Sequence, residues 1–382
     1  MLQCPPLSLY IHIPWCVRKC PYCDFNSHRA EPGLPEAGYI KALLQDLEGQ
    51  LDWVAGREIE TIFIGGGTPS LFSAESIRAL LQGVRDRLPV VPAAEITLEA
   101  NPGTAESDKF RGFRQAGVNR LSIGIQSFDP AHLRALGRIH GREEALLAAQ
   151  MARSAGFDNF NLDLMFGLPQ QTLEQALADL QTAIDLNPTH LSLYQLTLEP
   201  NTVFHKYPPA LPEDDSIWAI QQAAQARLAE QGIQQYEVSA YARAGWPCRH
   251  NLNYWRFGDY LGIGAGAHGK ITDMKTGAVT RTTRIKHPQH YLQASGDPAR
   301  QGACEVIPRE ALRFEFLMNA LRLRQGFDVK LFTAHTGLPI NALEPELSAC
   351  LEDQLLERDG QKIRCSAHGF NFLDTVLQRF LP

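Results

Sequence analysis

The sequence predicts an α/β protein with a parallel sheet that carries its functional residues at one edge. From residue 8 to about residue 200, short apolar runs alternate with longer amphipathic runs. Six runs are strand-like and five helical patterns lie between them, which is typical of parallel βαβ units with right-handed crossovers. Six units are too few for a closed eight-stranded barrel, so the pattern by itself allows an open sheet or a partial barrel.

The elements follow one another in a regular order. The predicted strands are SLYIHI, ETIFIG, EITLEA, RLSIGIQS, NFNLDLMF and HLSLYQLTL. The predicted helices between them are YIKALLQDLEGQL, ESIRALLQGVRDRL, SDKFRGFRQAG, REEALLAAQMARSAG and TLEQALADLQTAI. In either architecture, ligands bind at the carboxyl ends of the strands. Polar residues and glycines collect at those ends: Gly65, Gly66, Gly67, Glu99, Asn101, Gln126 and Asp163.

The chain is predicted to have two domains joined by a linker. Residues 1–272 would form the core, which ends with a helix over DSIWAIQQAAQARLAEQG, a strand over QYEVSAYA and a Gly-rich segment. Residues 273–300 are polar and are predicted to be an irregular linker. Residues 301–382 follow a helix, helix, hairpin pattern, which predicts a small winged-helix-like α+β domain.

Composition excludes several classes of protein. The apolar fraction of 44% and the charged fraction of 20% are ordinary for a globular chain of 382 residues. A net charge of −6 argues against nucleic-acid binding. No apolar run is long enough to span a membrane, and the N-terminus does not resemble a signal peptide, so we expect a cytoplasmic protein.

Three of the eight cysteines are clustered in CVRKCPYCDF, as Cys16, Cys20 and Cys23. A reducing compartment makes disulfides improbable, and thiolates at this spacing bind zinc or iron–sulfur clusters. The spacing leaves three interpretations open. These are structural zinc with a distant fourth ligand, three unligated thiols, and a 4Fe-4S cluster with one iron left without a protein ligand.

The CxxxCxxC motif after an apolar first strand resembles the radical S-adenosylmethionine (SAM) superfamily. SLYIHIPWCVRKCPYCDF, FIGGGTPSLF, EITLEANPGT, GVNRLSIGIQSF, LGRIH, NLDLMFGLPQQT and HLSLYQLTLEPNT are similar, in order, to motifs of oxygen-independent coproporphyrinogen III oxidase and its relatives. The resemblance runs from about residue 8 to the end. It implies a radical SAM (β/α)6 partial, or three-quarter, barrel with a C-terminal domain like that of the oxidase.

The resemblance also implies a cofactor set and its ligands. Cys16, Cys20 and Cys23 would hold a 4Fe-4S cluster, and the amino and carboxylate groups of SAM would bind the open iron. Reduction of the cluster could then cleave SAM to a 5′-deoxyadenosyl radical. The residues implied to bind SAM are Tyr10, Tyr22, Gly66, Gly67, Thr68, Glu99, Gln126, Arg138 and Asp163.

Two functions remain open within this family. One is oxidative decarboxylation of coproporphyrinogen III propionates; the other, which we favour, is that of a haem chaperone. The oxidase has a further cysteine where this chain has Phe25, and its extra N-terminal segment is expected to be absent because Cys16 lies near the first residue. Whether the chain is an enzyme is therefore left open.

The HNLNYW segment is similar to the HNxxYW motif of the chaperone group. An imidazole can be an axial iron ligand, so His250 is the predicted haem ligand, beside Tyr254 and Trp255. A packed core histidine is the alternative. His12 and His268 could also lie near the site, and Cys248 is expected to be a buried thiol. The partners implied are haem, haem-accepting proteins such as respiratory enzymes, and a reductant protein.

Overall fold

A computed structural model describes residues 2–54, 56–104, 107–294 and 297–381. Its largest element is a sheet of twelve strands. In chain order these are β1 (Leu7–Ile13), β2 (Ile59–Gly66), β3 (Val90–Ala100), β4 (Arg120–Gln126), β5 (Phe160–Phe166), β6 (His190–Gln195), β7 (Gln234–Glu237), β8 (Ala240–Ala242), β9 (Asp259–Ile263), β10 (His268–Thr272), β11 (Val279–Arg284) and β12 (Gln301–Val306).

Seven longer helices accompany this sheet. They are α1 (Glu36–Glu48), α2 (Ala74–Arg85), α3 (Ser107–Ala116), α4 (Arg142–Ser154), α5 (Leu173–Asp185), α6 (Asp214–Glu230) and α7 (Arg249–Trp255). Shorter helical segments are Leu51–Val54, Pro69–Leu71, Pro102–Thr104, Pro130–Ala135, Val203–Lys206, Pro288–Gln293 and Asp297–Arg300.

The strand order is that of a partial barrel. Across the sheet it is β12-β11-β10-β9-β1-β2-β3-β4-β5-β6-β8-β7, and the strands from β9 to β6 are all parallel. The six predicted strands are neighbours in chain order, whereas the order of a doubly wound sheet reverses in its middle. In the part of the chain that the structure describes, β12 and β7 do not pair with each other, so the barrel stays open.

Strand β1 explains why the two faces of the sheet differ. Its alternate residues Leu7, Leu9, Ile11 and Ile13 are buried in the hydrophobic core that the helices cover. Side chains alternate along a strand, so the residues between them face the lumen of the barrel. Ser8 is one of these, and its hydroxyl lies 2.7 Å from Oγ1 of Thr61.

Helix α2 illustrates how the crossovers form. It begins after Ser73, whose Oγ accepts the main-chain N–H of Ser76 at 3.1 Å and so caps the helix. Its buried residues include Ile77, Leu80, Leu81 and Val84. These lie three or four positions apart and therefore form one apolar stripe against the sheet.

The structure corrects three local predictions. QYEVSAYA forms two antiparallel strands, β7 and β8, because the chain turns between Glu237 and Ala240. The sixth barrel strand ends at Gln195 instead of continuing through LTL. The segment 273–300 is not irregular throughout, because β11 pairs with β10 and β12.

The C-terminal residues form a separate hydrophobic cluster around Phe316, Phe327 and Phe332. Its helices are Leu312–Ala320, Val329–Thr336, Ile340–Leu343, Glu346–Glu352, Ala367–Asn371 and Leu373–Gln378. Strands Leu356–Asp359 and Lys362–Cys365 form the expected hairpin, and Phe327–Asp328 adds a third strand. The domain boundaries themselves stay a prediction. In the described ranges no helix has both the length and the apolar character needed to cross a bilayer.

Candidate cofactor site

The three clustered cysteines lie on a loop that leaves the carboxyl end of β1. Two short parallel strands, Trp15–Cys16 and His28–Arg29, pair at the base of the loop and close it. The thiols of Cys16, Cys20 and Cys23 are free and partly buried. The loop therefore places the three cysteines along one wall of a cavity.

Neighbouring side chains approach these sulfur atoms. Thr68 Oγ1 donates to Cys16 Sγ at 3.5 Å, and Arg138 Nη1 donates to Cys20 Sγ at 3.6 Å. Burial raises the pKa of the Cys16 and Cys23 thiols. Binding to iron would require deprotonated sulfur, so the bound metal must offset the cost of forming thiolates at these buried positions.

The cysteine loop borders a cavity of about 460 Å³ at the carboxyl ends of the strands. Most of the predicted site residues converge there. The cavity is lined by Cys16, Cys20, Tyr22, Cys23, Gly66, Gly67, Thr68, Glu99, Gln126, Arg138 and Asp163. Among the predicted ligands only Tyr10 and His250 lie outside this lining.

The GGGTP loop packs directly against the cysteine loop. The N–H of Gly67 donates to the carbonyl of Ile13 at 2.8 Å, and the N–H of Thr68 donates to that of Trp15 at 2.7 Å. Gly66 has a φ of 113°, a conformation that favours glycine. A Cβ atom on Gly67 would lie 2.5 Å from the Trp15 carbonyl oxygen. The close approach of the two loops therefore depends on glycine.

Two buried carboxylates face the cavity. The N–H of Gly66 donates to Oε2 of Glu99 at 3.0 Å. Burial, with a smaller contribution from Asp163, raises the pKa of Glu99 to about 8, and burial also raises the pKa of Asp163. Neither carboxylate forms an ion pair with a described residue. The pair therefore suits a ligand with a positive charge, which would offset the cost of burying both acids.

Gln126 and Arg138 complete this side of the cavity. Gln126 has a φ of 72° at a register shift between β4 and β5, an uncommon backbone conformation for a residue other than glycine. Arg138 Nη2 donates to the carbonyl of Gly124 at 2.7 Å. The buried Nε of Arg138 has no hydrogen-bond partner among the described residues, so it is available to a ligand.

The two tyrosines predicted to bind SAM lie in different places. Tyr22 lines the cavity and packs near Phe204, with ring centroids 6.4 Å apart. Tyr10 instead lines a second cavity on the other side of the Gly66–Glu99 pair. Its hydroxyl lies 2.9 Å from Nδ1 of His12. The structure thus brings Tyr10 together with Gly66 and Glu99, which line both cavities, and not with the predicted SAM ligands that line the first cavity alone.

His250 is buried on α7 and lines neither cavity. Its Nδ1 lies 2.8 Å from Thr61 Oγ1 and its Nε2 lies 2.8 Å from the hydroxyl of Tyr254. Burial lowers the pKa of His250 to about 3. Because both ring nitrogens are engaged, the imidazole cannot bind iron in this arrangement. The surroundings of His250 fit a packed core histidine better than an axial haem ligand.

The sequence analysis did not identify the side chains that hold Asp163 in place. Asp163 accepts hydrogen bonds from Asn161 at 2.7 Å, from Tyr194 at 3.0 Å and from Ser122 at 3.2 Å. A signal for these three partners exists, because Ser122, Asn161 and Tyr194 stand two positions from Arg120, Asp163 and Ser192 in their strands. Such alternation predicts the lumen face. Glu95, which accepts the N–H of His250 at 3.0 Å, carries the same signal, because it alternates with Thr97 and Glu99 along β3.

The remaining cysteine near this site is Cys248. It is buried, burial raises its pKa to about 12, and its Sγ lies 3.5 Å from Glu95 Oε1. This matches the expected buried thiol. Within the described residues, no three His, Cys, Asp or Glu side chains are grouped closely enough to hold a single metal ion as they stand.

Family models match two parts of the chain. The model of the radical SAM superfamily matches residues 10–183, and that of the HemN C-terminal domain matches residues 307–372. These two segments correspond to the barrel and to the C-terminal cluster described above.

The chain is similar to curated proteins over its full length. It is 51% identical to "Heme chaperone HemW" of Escherichia coli (strain K12), with 100% of each chain covered. It is 49% identical to the protein of the same name from Haemophilus influenzae, covering 100% of this chain and 99% of the relative. The identity to the Bacillus subtilis protein of that name is 36%, covering 89% of each.

One solved structure is similar over nearly the whole chain. It is coproporphyrinogen III oxidase (HemN) from Escherichia coli, described as a radical SAM enzyme. The TM-score is 0.83 at 25% identity, covering 99% of this chain and 90% of that structure. The predicted partial barrel is confirmed by this likeness together with the strand order.

Proposed function

The chain belongs to the HemW family of the radical SAM superfamily, and on that premise we propose that it is a haem chaperone, which binds haem and transfers it to acceptor proteins. The observation that carries the proposal is Phe25. It takes the place of the further cysteine of the oxidase, and 58% of its surface is exposed at the mouth of the cysteine loop. An uncovered aromatic ring suits an apolar ligand such as a porphyrin.

We propose that Cys16, Cys20 and Cys23 hold a 4Fe-4S cluster whose fourth iron binds SAM. The partly buried thiols and the glycine loop packed against them support this assignment. When bound, the cluster and SAM would supply one-electron chemistry that protein side chains cannot provide.

The side chains of the first cavity would then position SAM. Glu99 and Asp163 would face its positively charged groups, because neither acid has a cationic partner in the described chain. The free Nε of Arg138 would donate to a carboxylate or a ribose oxygen. The remaining positions assigned to SAM are Tyr22, Gly66, Gly67, Thr68 and Gln126.

Two predicted ligands receive supporting roles in this proposal. Tyr10 would shape the wall between the two cavities, since it lines the second cavity. His250 would fix the orientation of Tyr254 through the 2.8 Å contact instead of binding iron.

The acceptors would be haem-dependent proteins such as respiratory enzymes, and a reductant protein would reduce the cluster. We propose a cytoplasmic location. The alternative function is that of an oxygen-independent coproporphyrinogen III oxidase, which is favoured by the HemN-like fold and C-terminal domain.

One pair of assays separates the two functions. Reconstituted protein loaded with haem is mixed with a haem-free acceptor, and haem transfer is followed by absorbance. In parallel, the protein is incubated anaerobically with coproporphyrinogen III, SAM and a reductant, and the porphyrins are analysed by chromatography. The chaperone function predicts transfer without vinyl product. Steady accumulation of vinyl product would instead establish the oxidase.

A further inference from the structure

A second cavity of about 760 Å³ lies beside the first. The two share a wall formed by Asp24, Phe25, Ser27, Gly66 and Glu99. Sites for small molecules and cofactors have volumes in this range. The second cavity is therefore large enough for its own ligand next to the first.

The walls of the second cavity are rich in aromatic rings. Tyr254 and Trp255 of α7 lie on one side, and Tyr260 packs against Tyr254 with ring centroids 4.6 Å apart. The exposed ring of Phe25 stands on the shared wall. The buried Nε1 of Trp255 has no hydrogen-bond partner among the described residues. Such walls suit a flat apolar ligand that also carries hydrogen-bond acceptors.

Four cationic side chains line the cavity, and two of them are already neutralised. Lys270 is paired with Asp259 at 3.0 Å, and Arg281 is paired with Glu315. Lys19 and Lys286 are exposed and form no ion pair with any residue in the described ranges. Lys19 Nζ donates one hydrogen bond, to the Phe25 carbonyl oxygen at 3.1 Å. The cavity thus offers two cations that no described carboxylate neutralises to a ligand with two carboxylates.

Three histidines line the cavity, and they differ in their partners. The ring nitrogens of His12 lie 2.9 Å from the Tyr10 hydroxyl and 2.8 Å from the Asn26 carbonyl oxygen. Nε2 of His28 lies 3.3 Å from Asn26 Oδ1. The imidazole of His268, the exposed first residue of β10, makes no hydrogen bond with a described residue, although its backbone pairs with Thr283 of β11. His268 is therefore the imidazole that can accept a new ligand.

We propose that haem binds in this second cavity, with His268 as an iron ligand, Lys19 and Lys286 facing the propionates, and Phe25 against the porphyrin face. The inference rests on the proposed haem function and names the site for it. A neutral imidazole binds haem iron. Partial desolvation of the ring, together with the charges of Lys286 and Arg281, lowers the pKa of His268 and so favours the neutral form at pH 7.

This location places haem beside the cysteine loop and not within the first cavity. Both sites could then be occupied together, separated by the Gly66–Glu99 pair and the Phe25 ring. It also explains the role of α7. Tyr254, held by His250, and Trp255 supply the aromatic wall that the HNLNYW segment was predicted to provide.

The iron ligand is tested by titrating the full-length, anaerobically reconstituted protein with ferric haem. His268→Ala is expected to weaken binding about tenfold or more and to move the Soret band, because an axial ligand is lost. His368→Ala is the control, since it removes an exposed histidine that lines neither cavity, and it should bind like the wild type. Equal affinity and an identical spectrum for His268→Ala would overturn the assignment.

His268→Cys gives a positive readout that loss of folding cannot imitate. It should bind haem with the spectrum of a thiolate-ligated iron, whereas a wild-type spectrum in this variant would again overturn the proposal. Cluster iron content and thermal midpoint are measured for each variant. If the wild-type protein bound no haem at all, the proposed haem-chaperone function would be refuted. Haem binding that does not depend on His268 would refute only the proposed site.

The propionate contacts are tested with haem dimethyl ester, which lacks the two negative charges. Wild-type protein should prefer haem over the ester. The double variant Lys19→Ala/Lys286→Ala should lose about twofold to fivefold of this preference, as expected for exposed ion pairs. Lys330→Ala, an exposed lysine outside the cavity, should retain it. Undiminished discrimination by the double variant would rule out the two lysines.

Discussion

The main-chain N–H of Gly66 donates a 3.0 Å hydrogen bond to Oε2 of Glu99, and this bond joins the carboxyl ends of β2 and β3. Glu99 lies on the wall common to both cavities. Its pKa is raised to about 8 by burial and, to a lesser extent, by Asp163. An acid in this position is costly to ionise in the absence of a ligand, which makes it a sensitive probe of the site.

Glu99→Gln should make the stability of the SAM-free protein less dependent on pH. In the wild type, the folded pKa of about 8 lies above the unfolded value of about 4.5. Stability contributed by the protonated side chain is complete below pH 4.5 and is lost as the pH rises through 8. The variant lacks this loss, so it should be the more stable protein at pH 9, by at most on the order of 5 kcal/mol.

Urea unfolding at pH 5 and pH 9 measures this difference. The exposed Glu143→Gln serves as the control and should follow the wild type at both values. The variant should also bind SAM more weakly. If its stability declined with pH as steeply as that of the wild type, Glu99 would not be the group that titrates.

Gly67→Ala should disrupt the contact between the glycine loop and the cysteine loop. The added Cβ would lie 2.5 Å from the carbonyl oxygen of Trp15, and this backbone atom cannot move aside cheaply. We expect a loss of about 1–3 kcal/mol in the free energy of unfolding, together with weaker SAM binding.

Gly38→Ala is the matched control for this steric argument. Gly38 lies on α1 with no atom within 4 Å of the position of an added Cβ. Alanine favours helix, so this variant should be stabilised by a few tenths to about 1 kcal/mol. Similar stabilities for the two variants would refute the proposed close approach.

His250→Gln should destabilise the protein at pH 7 by about 1–3 kcal/mol, since it disturbs the contacts with Thr61 and Tyr254. It should also reduce the sensitivity to acid. The folded pKa of about 3 lies below the unfolded value of about 6.5, so stability is present above pH 6.5 and is lost as the pH falls toward 3.

The haem spectrum of His250→Gln distinguishes support from ligation. If His250 only orients Tyr254, the Soret band should keep its wild-type position even where affinity falls. A displaced band would restore the axial role predicted from the sequence. Denaturation at pH 4 and pH 7, compared with wild type, checks the acid dependence.

Cys20→Ser should prevent assembly of a stable four-iron cluster, because one of the three proposed protein ligands is replaced by a weaker donor. Iron and acid-labile sulfide, about four each per chain in the reconstituted wild type, should fall well below that value. Cys304→Ser changes an exposed, unclustered cysteine and should leave both contents intact. Full cluster content in Cys20→Ser would contradict the ligand assignment.

The sequence by itself determined the six parallel βα units and the inner lining of the first cavity, while the partial barrel was implied by the family resemblance and confirmed by the strand order. Apolar alternation identified the six parallel strands, and strand ends on one edge brought Gly66, Glu99 and Asp163 together, because parallel strands place their carboxyl ends at one rim. The spacing of Cys16, Cys20 and Cys23 likewise predicted that the three thiols lie on one loop.

Only the tertiary structure decided which of the two cavities, if either, each remaining residue lines. Tyr10 faces the second cavity, and His250 is enclosed between Thr61 and Tyr254, although both lie in informative motifs. The second cavity combines α7, the cysteine loop and strands β10 and β11, which are distant in the chain. Local periodicity carries no information about such long-range packing, because the partners of each side chain are set by the folded sheet and not by neighbouring residues.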